Sequence, residues 1–164
     1  MKKRPIIGVM GGGNSTSEDT KAAYCLGSLI AKQGWILLNG GRNTGIMEAS
    51  AKGASDQGGL TVGILPDNNL SNTSEYIKIP VLTGMGNARN CINVLSSSVV
   101  VACPGGAGTL SEIALALKNN KTVILMKFDV GKAFDRYIKQ GLLLYAETPR
   151  QVIEKIKELM RLQK

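Results

Sequence analysis

The sequence predicts an α/β fold in which the whole chain, residues 1–164, forms one domain around a doubly wound parallel sheet. Short apolar runs alternate along the chain with stretches of helical periodicity. The runs are continuously apolar, which is typical of strands that helices cover on both faces. Many of the 20 glycines stand where these runs end, as they do in loops that bring the backbone close to a ligand.

The first half of the chain contains four predicted strands and two predicted helices. In chain order they are a strand at 5–10, a helix at 17–33, a strand at 35–38, a helix at 45–57 and strands at 61–65 and 77–82. Pro80 weakens the prediction of the last strand, because proline cannot donate a hydrogen bond to a sheet.

The second half continues the alternation. The order is a helix at 87–96, a strand at 99–103, a helix at 109–119, a strand at 122–127, a helix at 132–140, a short strand at 142–145 and a helix from Thr148. One apolar face of the last helix consists of Val152, Ile153, Ile156, Leu159 and Met160. Strands that alternate with helices are parallel and are joined by right-handed crossovers, so the predicted architecture is Rossmann-like.

The composition narrows the chemistry that is available. The chain has no histidine, and its three cysteines lack metal-ligand spacing, so we expect no metal site. Catalysis would have to use carboxylates, arginine, lysine, hydroxyls and backbone amides. Much of the net charge of +8 lies at the two ends, in Lys2, Lys3 and Arg4 and in the last helix. With 4% aromatic residues, this charge favours a solvated basic face that attracts small anions over a nucleic-acid site.

The sequence also bears on location. No apolar run approaches the ~18–20 residues that span a bilayer. The start, MKKRPIIGVM, is basic and then apolar, but its apolar part is short for a signal peptide and leads directly into glycines. We interpret it as the first strand and expect a cytoplasmic protein.

Four glycine-bearing loops are expected to meet at one edge of the sheet. They follow the first, second, fourth and fifth strands, and ligands of such sheets bind beyond the carboxyl ends of the strands, where the winding direction switches. The candidate ligand-binding residues in these loops are Gly11, Gly12, Gly13, Asn14, Ser15, Gly40, Gly41, Gly45, Gly84, Gly86, Asn87, Pro104, Gly105, Gly106, Ala107, Gly108 and Thr109.

The first loop, GGGNSTSED, has the features of a phosphate loop: glycines, then hydroxyl and amide side chains, then a helix start. It does not match the dinucleotide fingerprint, because Thr16 stands at the third glycine position. A capping box from Ser15 to Glu18 explains the same residues without a ligand. A Walker A loop is not expected either, because Gly131-Lys132 is followed by alanine.

The loops after the fifth and fourth strands carry the residues with chemical potential. In PGGAGTLSE, three glycines precede a helix that contains Glu112, whose carboxylate is predicted beside the ligand edge. The alternative is a capping box from Thr109 to Glu112. In GMGNARN, Arg89 stands in the first turn of the predicted helix, where a cation is disfavoured unless it has an anionic partner. A ligand phosphate or Glu112 would be that partner, and a solvent-exposed Arg89 is the alternative.

These motifs resemble those of the Lonely Guy-type phosphoribohydrolases, which are often mislabelled lysine decarboxylases. PGGAGTLSE resembles their P-G-G-x-G-T-x-x-E signature, and GGRNTGIMEASAKGA and GMGNARN resemble two further segments, from Ile6 to about Met126. The resemblance implies cleavage of the N-glycosidic bond of nucleoside 5′-monophosphates, without a required cofactor. It puts Arg89 and Glu112 at catalytic positions and Gly105, Gly106, Gly108 and Thr109 in the phosphate loop. No lysine stands among these loops to form a pyridoxal phosphate Schiff base, so lysine decarboxylation is not expected.

Two positions depart from the hydrolase pattern. Asn90 follows Arg89 where the hydrolases usually have lysine, and Glu48 stands where they usually have glycine. Both departures resemble a sister branch, the molybdenum-cofactor carrier proteins, in which the same pocket holds a phosphate-bearing pterin without converting it. Homo-oligomers are implied by both resemblances.

Two functions are therefore consistent with the sequence. The interpretation we favour from sequence is a nucleotide phosphoribohydrolase, and the alternative is a non-catalytic carrier of the molybdenum cofactor. DNA binding, suggested by the Rossmann-like fold of DNA-processing protein A and by the positive charge, is a weaker third.

Overall fold

A single parallel sheet organises the computed structural model, which describes residues 4–162. The sheet contains seven strands in the order β4-β3-β2-β1-β5-β6-β7, and every neighbouring pair is parallel. The strands are β1 (Ile6–Met10), β2 (Ile36–Asn39), β3 (Thr61–Leu65), β4 (Ile79–Leu82), β5 (Val99–Ala102), β6 (Val123–Met126) and β7 (Leu143–Ala146). The predicted Rossmann-like fold is confirmed; Lys2, Lys3 and Lys164 of the predicted basic ends lie outside the described residues.

Six α-helices connect these strands within residues 4–162. They are α1 (Ser17–Lys32), α2 (Gly45–Asp56), α3 (Asn90–Ser96), α4 (Ala107–Lys118), α5 (Asp135–Lys139) and α6 (Pro149–Leu162). Two predicted helices were drawn too long, because 87–96 and 132–140 each begin with a separate 3-10 turn, Gly86–Arg89 and Gly131–Phe134. A third, predicted from residue 109, begins two residues earlier, at Ala107.

The sheet is buried by helices on both faces. One apolar cluster joins alternate strand residues to α1, α2 and α6, and includes Ile7, Leu26 and Val152. The other joins the opposite strand face to α3 and α4, and includes Val100 and Ile113. Each such fully buried side chain contributes about 1.5–3 kcal/mol relative to an exposed one. This double coverage is the reason the central strands are continuously apolar.

Strand β4 behaves differently from the other strands. All four of its residues are exposed, and it forms an edge of the sheet beside β3. An edge strand needs hydrogen bonds on one side only, which is why Pro80 is compatible with it.

The winding direction of the sheet reverses at β1. From β1 the chain adds strands on one side through β2, β3 and β4, and on the other through β5, β6 and β7. The loops that leave β1 and β5 run side by side, since the amide of Cys103 donates to Met10 O (2.8 Å) and that of Gly12 to Pro104 O (3.0 Å). This switch point is the position where a doubly wound sheet offers a crevice to a ligand.

Glycines set the close approach of α1 and α2. A Cβ atom on Gly27 would clash with the carbonyl oxygen of Ser50, and one on Gly53 would clash with that of Tyr24. The crossing holds the start of α2 against the β1 loop, where the Ile46 amide donates to Gly12 O (3.0 Å).

Two searches over the described residues found no feature of their kind. No helix within residues 4–162 is both long and apolar enough to cross a membrane. In the same part of the chain, no three side chains of histidine, cysteine, aspartate or glutamate are grouped as metal ligands would be.

Candidate functional site

A pocket of about 240 Å³ opens at the switch point, at the carboxyl ends of β1 and β5. Residues from the loops after β1, β2, β4 and β5 line it, as the convergence of the four glycine-bearing loops requires. The lining residues are Val9, Met10, Gly11, Gly12, Gly13, Gly40, Met47, Asn87, Arg89, Asn90, Gly106, Gly108, Thr109 and Glu112.

The predicted site residues divide into two groups. Those brought together in the pocket lining are Gly11, Gly12, Gly13, Gly40, Asn87, Arg89, Gly106, Gly108, Thr109 and Glu112. Those that lie outside the lining are Asn14, Ser15, Gly41, Gly45, Gly84, Gly86, Pro104, Gly105 and Ala107. The second group belongs to the same loops, and several of its members determine how the loops pack.

Gly45 and Gly105 have such packing roles. Gly45 has φ of +55°, and a Cβ atom on it would lie 2.7 Å from the carbonyl carbon of Gly13, so only glycine fits beneath the first loop. A Cβ atom on Gly105 would lie 2.8 Å from the amide nitrogen of Gly12 and would also clash with Thr109. These two glycines therefore allow the β2 and β5 loops to pack against the β1 loop.

Helix α1 begins with a capping box, but not the predicted one. Thr16 is the N-cap: its Oγ1 accepts from the amide of Asp19 (3.1 Å), and the Asp19 carboxylate accepts from the amide of Thr16 (3.3 Å). The predicted pair of Ser15 and Glu18 was wrong by one residue. Ser15 instead donates to Gly12 O (2.9 Å) within the loop, and Glu18 is free to form an ion pair elsewhere.

Helix α4 begins at the pocket without a side-chain cap. Its N-cap is Gly106, so the predicted capping box from Thr109 to Glu112 is wrong: Thr109 already lies inside the first turn. The N–H groups of this turn have no helical partner, and the helix dipole adds positive potential at the same point. Because Gly106, Gly108 and Thr109 line the pocket, this helix start is suited to an anion such as phosphate.

Arg89 is buried against the pocket, with 9% of its surface exposed, so the solvent-exposed alternative is wrong. Its Nη1 donates to Asn90 Oδ1 (3.1 Å) and lies 3.8 Å from Oε1 of Glu112. Its Nε–H is buried and has no hydrogen-bond partner among the described residues. A buried donor on a cation is costly when unpaired, so the arrangement favours an anionic ligand.

Gly40 makes room for this guanidinium. A Cβ atom there would lie 2.7 Å from Nη2 of Arg89 and 2.8 Å from Sδ of Met47. The loop that holds Gly40 is positioned by Asn39, whose Oδ1 accepts from the amide of Gly41 (2.8 Å) and whose Nδ2 donates to Met47 O (2.9 Å). The β2 loop thus contributes space to the site.

Glu112 is the acidic group of the pocket, with 6% of its surface exposed. Its Oε1 accepts a hydrogen bond from Nδ2 of Asn93 (2.8 Å). Burial raises the pKa of Glu112 above its ordinary value of 4.5, and the Asn93 hydrogen bond and the Arg89 charge oppose that rise. Burial likewise lowers the pKa of Arg89, which the charge of Glu112 opposes and the charge of Arg42 reinforces. The two groups stabilise each other less than burial costs them.

Sequence reasoning missed three polar or soft side chains at the site. Asn90 donates through Nδ2 to Ser111 Oγ (3.1 Å), which donates in turn to Gly108 O (2.7 Å), so α3 is tied to the first turn of α4. Asn93 and Met47 were the others. The available signal for Asn93 was an asparagine on the inward face of a short, mostly apolar helix, where a buried amide requires a polar partner.

The fold and the pocket together define a Rossmann-like protein that presents glycine-rich loops, an open helix start and a buried arginine to an anionic ligand. The chain belongs to the SLOG cluster4 family, whose match covers residues 4–153.

Three relatives put this family membership in context. The molybdenum cofactor binding protein from the phototrophic bacterium Rippkaea orientalis is 51% identical, with a TM-score of 0.92 over 98% of this chain and 99% of that one. The molybdenum cofactor carrier protein of Chlamydomonas reinhardtii is 41% identical, with a TM-score of 0.90 over 97% and 99%. An uncharacterized protein of Archaeoglobus fulgidus is 44% identical over 148 residues, 90% of this chain and 91% of its own length.

Proposed function

We propose that the protein binds the molybdenum cofactor, a phosphate-bearing pterin, as cargo and does not convert it. This is the alternative that the sequence left open, and it now stands ahead of the phosphoribohydrolase. The similarity to the Rippkaea and Chlamydomonas proteins, at 51% and 41% identity over nearly the full length, supports this order.

The observation that carries the proposal is the unpartnered Nε–H of Arg89 beside the uncapped start of α4. Arg89 is nine-tenths buried and lines the same pocket as Gly106 and Thr109, from which the helix rises. A phosphate would accept hydrogen bonds from the helix amides and from the guanidinium together, and charge-assisted bonds of this kind are the strong ones.

The rest of the lining suits the organic part of such a ligand. Val9, Met10 and Met47 give the pocket an apolar side against which a flat ring can pack. None of the described residues that line the pocket is a cysteine or histidine, so the protein offers the metal no soft ligand there. We therefore expect the cofactor to be held by its phosphate and its ring.

A phosphoribohydrolase is the second candidate, and Glu112 is the observation that favours it. A buried carboxylate 3.8 Å from a guanidinium could stabilise the oxocarbenium-like transition state of N-glycosidic cleavage. Against this role, Oε1 is already engaged by Asn93, which holds the carboxylate in place.

The first experiment tests cargo binding. The purified protein is mixed with cofactor released from a molybdoenzyme, separated by gel filtration, and assayed for molybdenum and for the oxidised pterin. We expect co-elution of both with the native protein and a loss of about tenfold or more in retention with Arg89→Ala, because a charged partner is removed. Arg150→Ala, at an exposed position on α6, is the matched control and should retain the cofactor as the native protein does.

The second experiment tests the hydrolase on the same preparations. Release of ribose 5-phosphate is measured from a panel of nucleoside 5′-monophosphates, with Glu112→Gln as the inactive control. Release by the native protein that the variant loses would overturn the cargo proposal and establish an enzyme. The homo-oligomer implied by the resemblance stays a prediction, which light scattering would test.

A further inference from the structure

The pocket is too small to enclose a nucleotide-like ligand. Its volume of about 240 Å³ lies below the roughly 300–1,000 Å³ typical of sites that bury drug-sized ligands. A ligand whose phosphate lies on α4 must therefore extend over the rim of the pocket. Two rims carry charge: one at the ends of β2 and β3, and one at the end of β6.

The β6 rim is unsuited to an anion. Lys127 follows β6 directly, and its Nζ already lies 2.6 Å from Oε1 of Glu18 in the first turn of α1. Asp19 and Glu147 are also close enough to raise the pKa of Lys127. One lysine faces three carboxylates here, so this rim would repel the outer part of an anionic ligand.

The β2–β3 rim has the opposite character. Arg42 comes two residues after Gly40, which lines the pocket, and its charge is felt at Arg89. Its Nη2 lies 3.2 Å from Oδ2 and 3.5 Å from Oδ1 of Asp67, and the two side chains are 35% and 31% exposed. The buried Oδ2 of Asp67 has no well-formed hydrogen bond among the described residues. This is a weak, partly solvated pair, in which Arg42 can exchange its partner at small cost.

The backbone beneath Arg42 is fixed, so only its side chain would need to move. Arg42 forms an antiparallel bridge with Thr73, and the amide of Asn43 donates to Asn72 O (3.0 Å). The amide of Ser74 donates to Gly41 O (2.9 Å). Two guanidiniums, from Arg42 and Arg89, are thereby held at one side of the pocket.

We propose that Arg42 binds the outer anionic part of the ligand, so that the ligand leaves the pocket over the ends of β2 and β3 and away from Lys127. The inner phosphate lies on the start of α4 beside Arg89. The inference rests on the proposed function for the identity of the ligand. It adds the direction in which the ligand lies and a second residue that selects for negative charge.

Two probes separate the inner and outer parts of the site. Molybdenum cofactor released from a molybdoenzyme reaches both, and inorganic phosphate reaches only the inner one. Affinity for each is measured at low ionic strength for the native protein, Arg42→Ala, Arg42→Lys and Lys127→Ala. Lys127→Ala is the matched control, because it removes a cation from the opposite rim.

We expect Arg42→Ala to weaken cofactor binding by about tenfold or more while phosphate affinity changes by less than about twofold. Arg42→Lys should restore part of the loss, because it keeps the charge without the planar fork. Lys127→Ala should leave both affinities within about twofold of native. Equal cofactor affinity in Arg42→Ala and the native protein, or a larger loss in Lys127→Ala, would overturn the inference.

Failure of the proposed function gives a different result. If the native protein retains no cofactor, the cargo proposal fails, and the same variants are compared on nucleoside 5′-monophosphates that raise the melting temperature of the native protein. A smaller rise for Arg42→Ala alone supports the inference with another ligand. An unchanged rise, or a panel without any stabilising compound, overturns it.

Discussion

The side-chain amide of Asn93 donates a 2.8 Å hydrogen bond to Oε1 of Glu112, and both residues are buried. The bond joins α3 to α4 at the base of the pocket and fixes the carboxylate that faces Arg89. The other amide atom, Oδ1 of Asn93, is buried without a partner among the described residues. The orientation of Glu112 therefore depends on a residue that is not itself in the pocket lining.

Replacement of Asn93 should test this dependence. We expect Asn93→Ala to lower the free energy of unfolding by about 1–3 kcal/mol, because a buried carboxylate loses its donor. The pKa of Glu112 should rise further, since this hydrogen bond opposes the effect of burial. Urea denaturation measures the first effect. In a double-mutant cycle with Glu112→Gln, additive losses would show that the two side chains are not coupled.

The buried carboxylate of Glu112 should also make stability depend on pH. Because its folded pKa is raised, the folded protein holds the proton at pH values where the unfolded chain has lost it. The charged form is therefore a burden near neutral pH, and the burden disappears as pH falls towards the ordinary value of 4.5. Relative to Glu112→Gln, which does not titrate, the native protein should gain stability from about pH 7 to about pH 4.5.

Urea denaturation of both proteins across this range gives the difference directly, and effects of other titrating groups cancel to first order. A difference that moves the other way would mean that Arg89 and Asn93 outweigh burial and hold the pKa below its ordinary value.

Gly40→Ala should impair the site more than the fold. The added methyl would meet Nη2 of Arg89 and Sδ of Met47, two ends of flexible side chains that can shift. We expect a loss in the free energy of unfolding near the low end of the ~1–3 kcal/mol range for overpacking. Cofactor retention should fall by about tenfold or more, because the guanidinium is displaced. Native retention in this variant would show that Arg89 does not contact the ligand.

Gly27→Ala should do the reverse and serves as the matched control. Its methyl would meet the backbone oxygen of Ser50, which cannot move without separating α1 from α2. We expect a loss of about 1–3 kcal/mol or more in the free energy of unfolding, measured by urea denaturation. The fraction that stays folded should bind ligand as tightly as the native protein, and a comparable loss of both properties in the two variants would contradict the distinction.

Several elements were predictable because their signals are local. The strands showed as apolar runs and the helices as 3.6-residue periodicity, and the glycine-rich loops marked the strand ends. Errors arose where a signal fitted two neighbouring residues equally well. Ser15 with Glu18 and Thr16 with Asp19 have the same spacing and similar chemistry, and only the backbone conformation at Thr16 distinguishes them.

The start of α4 is the second such case. Thr109 and Glu112 have the spacing of a capping box, but Gly106 is the N-cap. A glycine cap leaves no side-chain signal in the sequence, so the helix was predicted to begin late. The earlier start brings the free amides to the pocket and leaves the Glu112 carboxylate without a capping role.

The sequence by itself determined the class of fold and the four loops that meet, since periodicity and the handedness of crossovers are properties of short segments. Only the tertiary structure decided that Arg89 is buried, that Asn93 holds Glu112, and that Arg42 and Lys127 lie on opposite rims. Those relationships join residues 3 to 109 positions apart in the chain. They depend on the order of strands in the sheet and on the packing of helices upon it, which no short segment encodes.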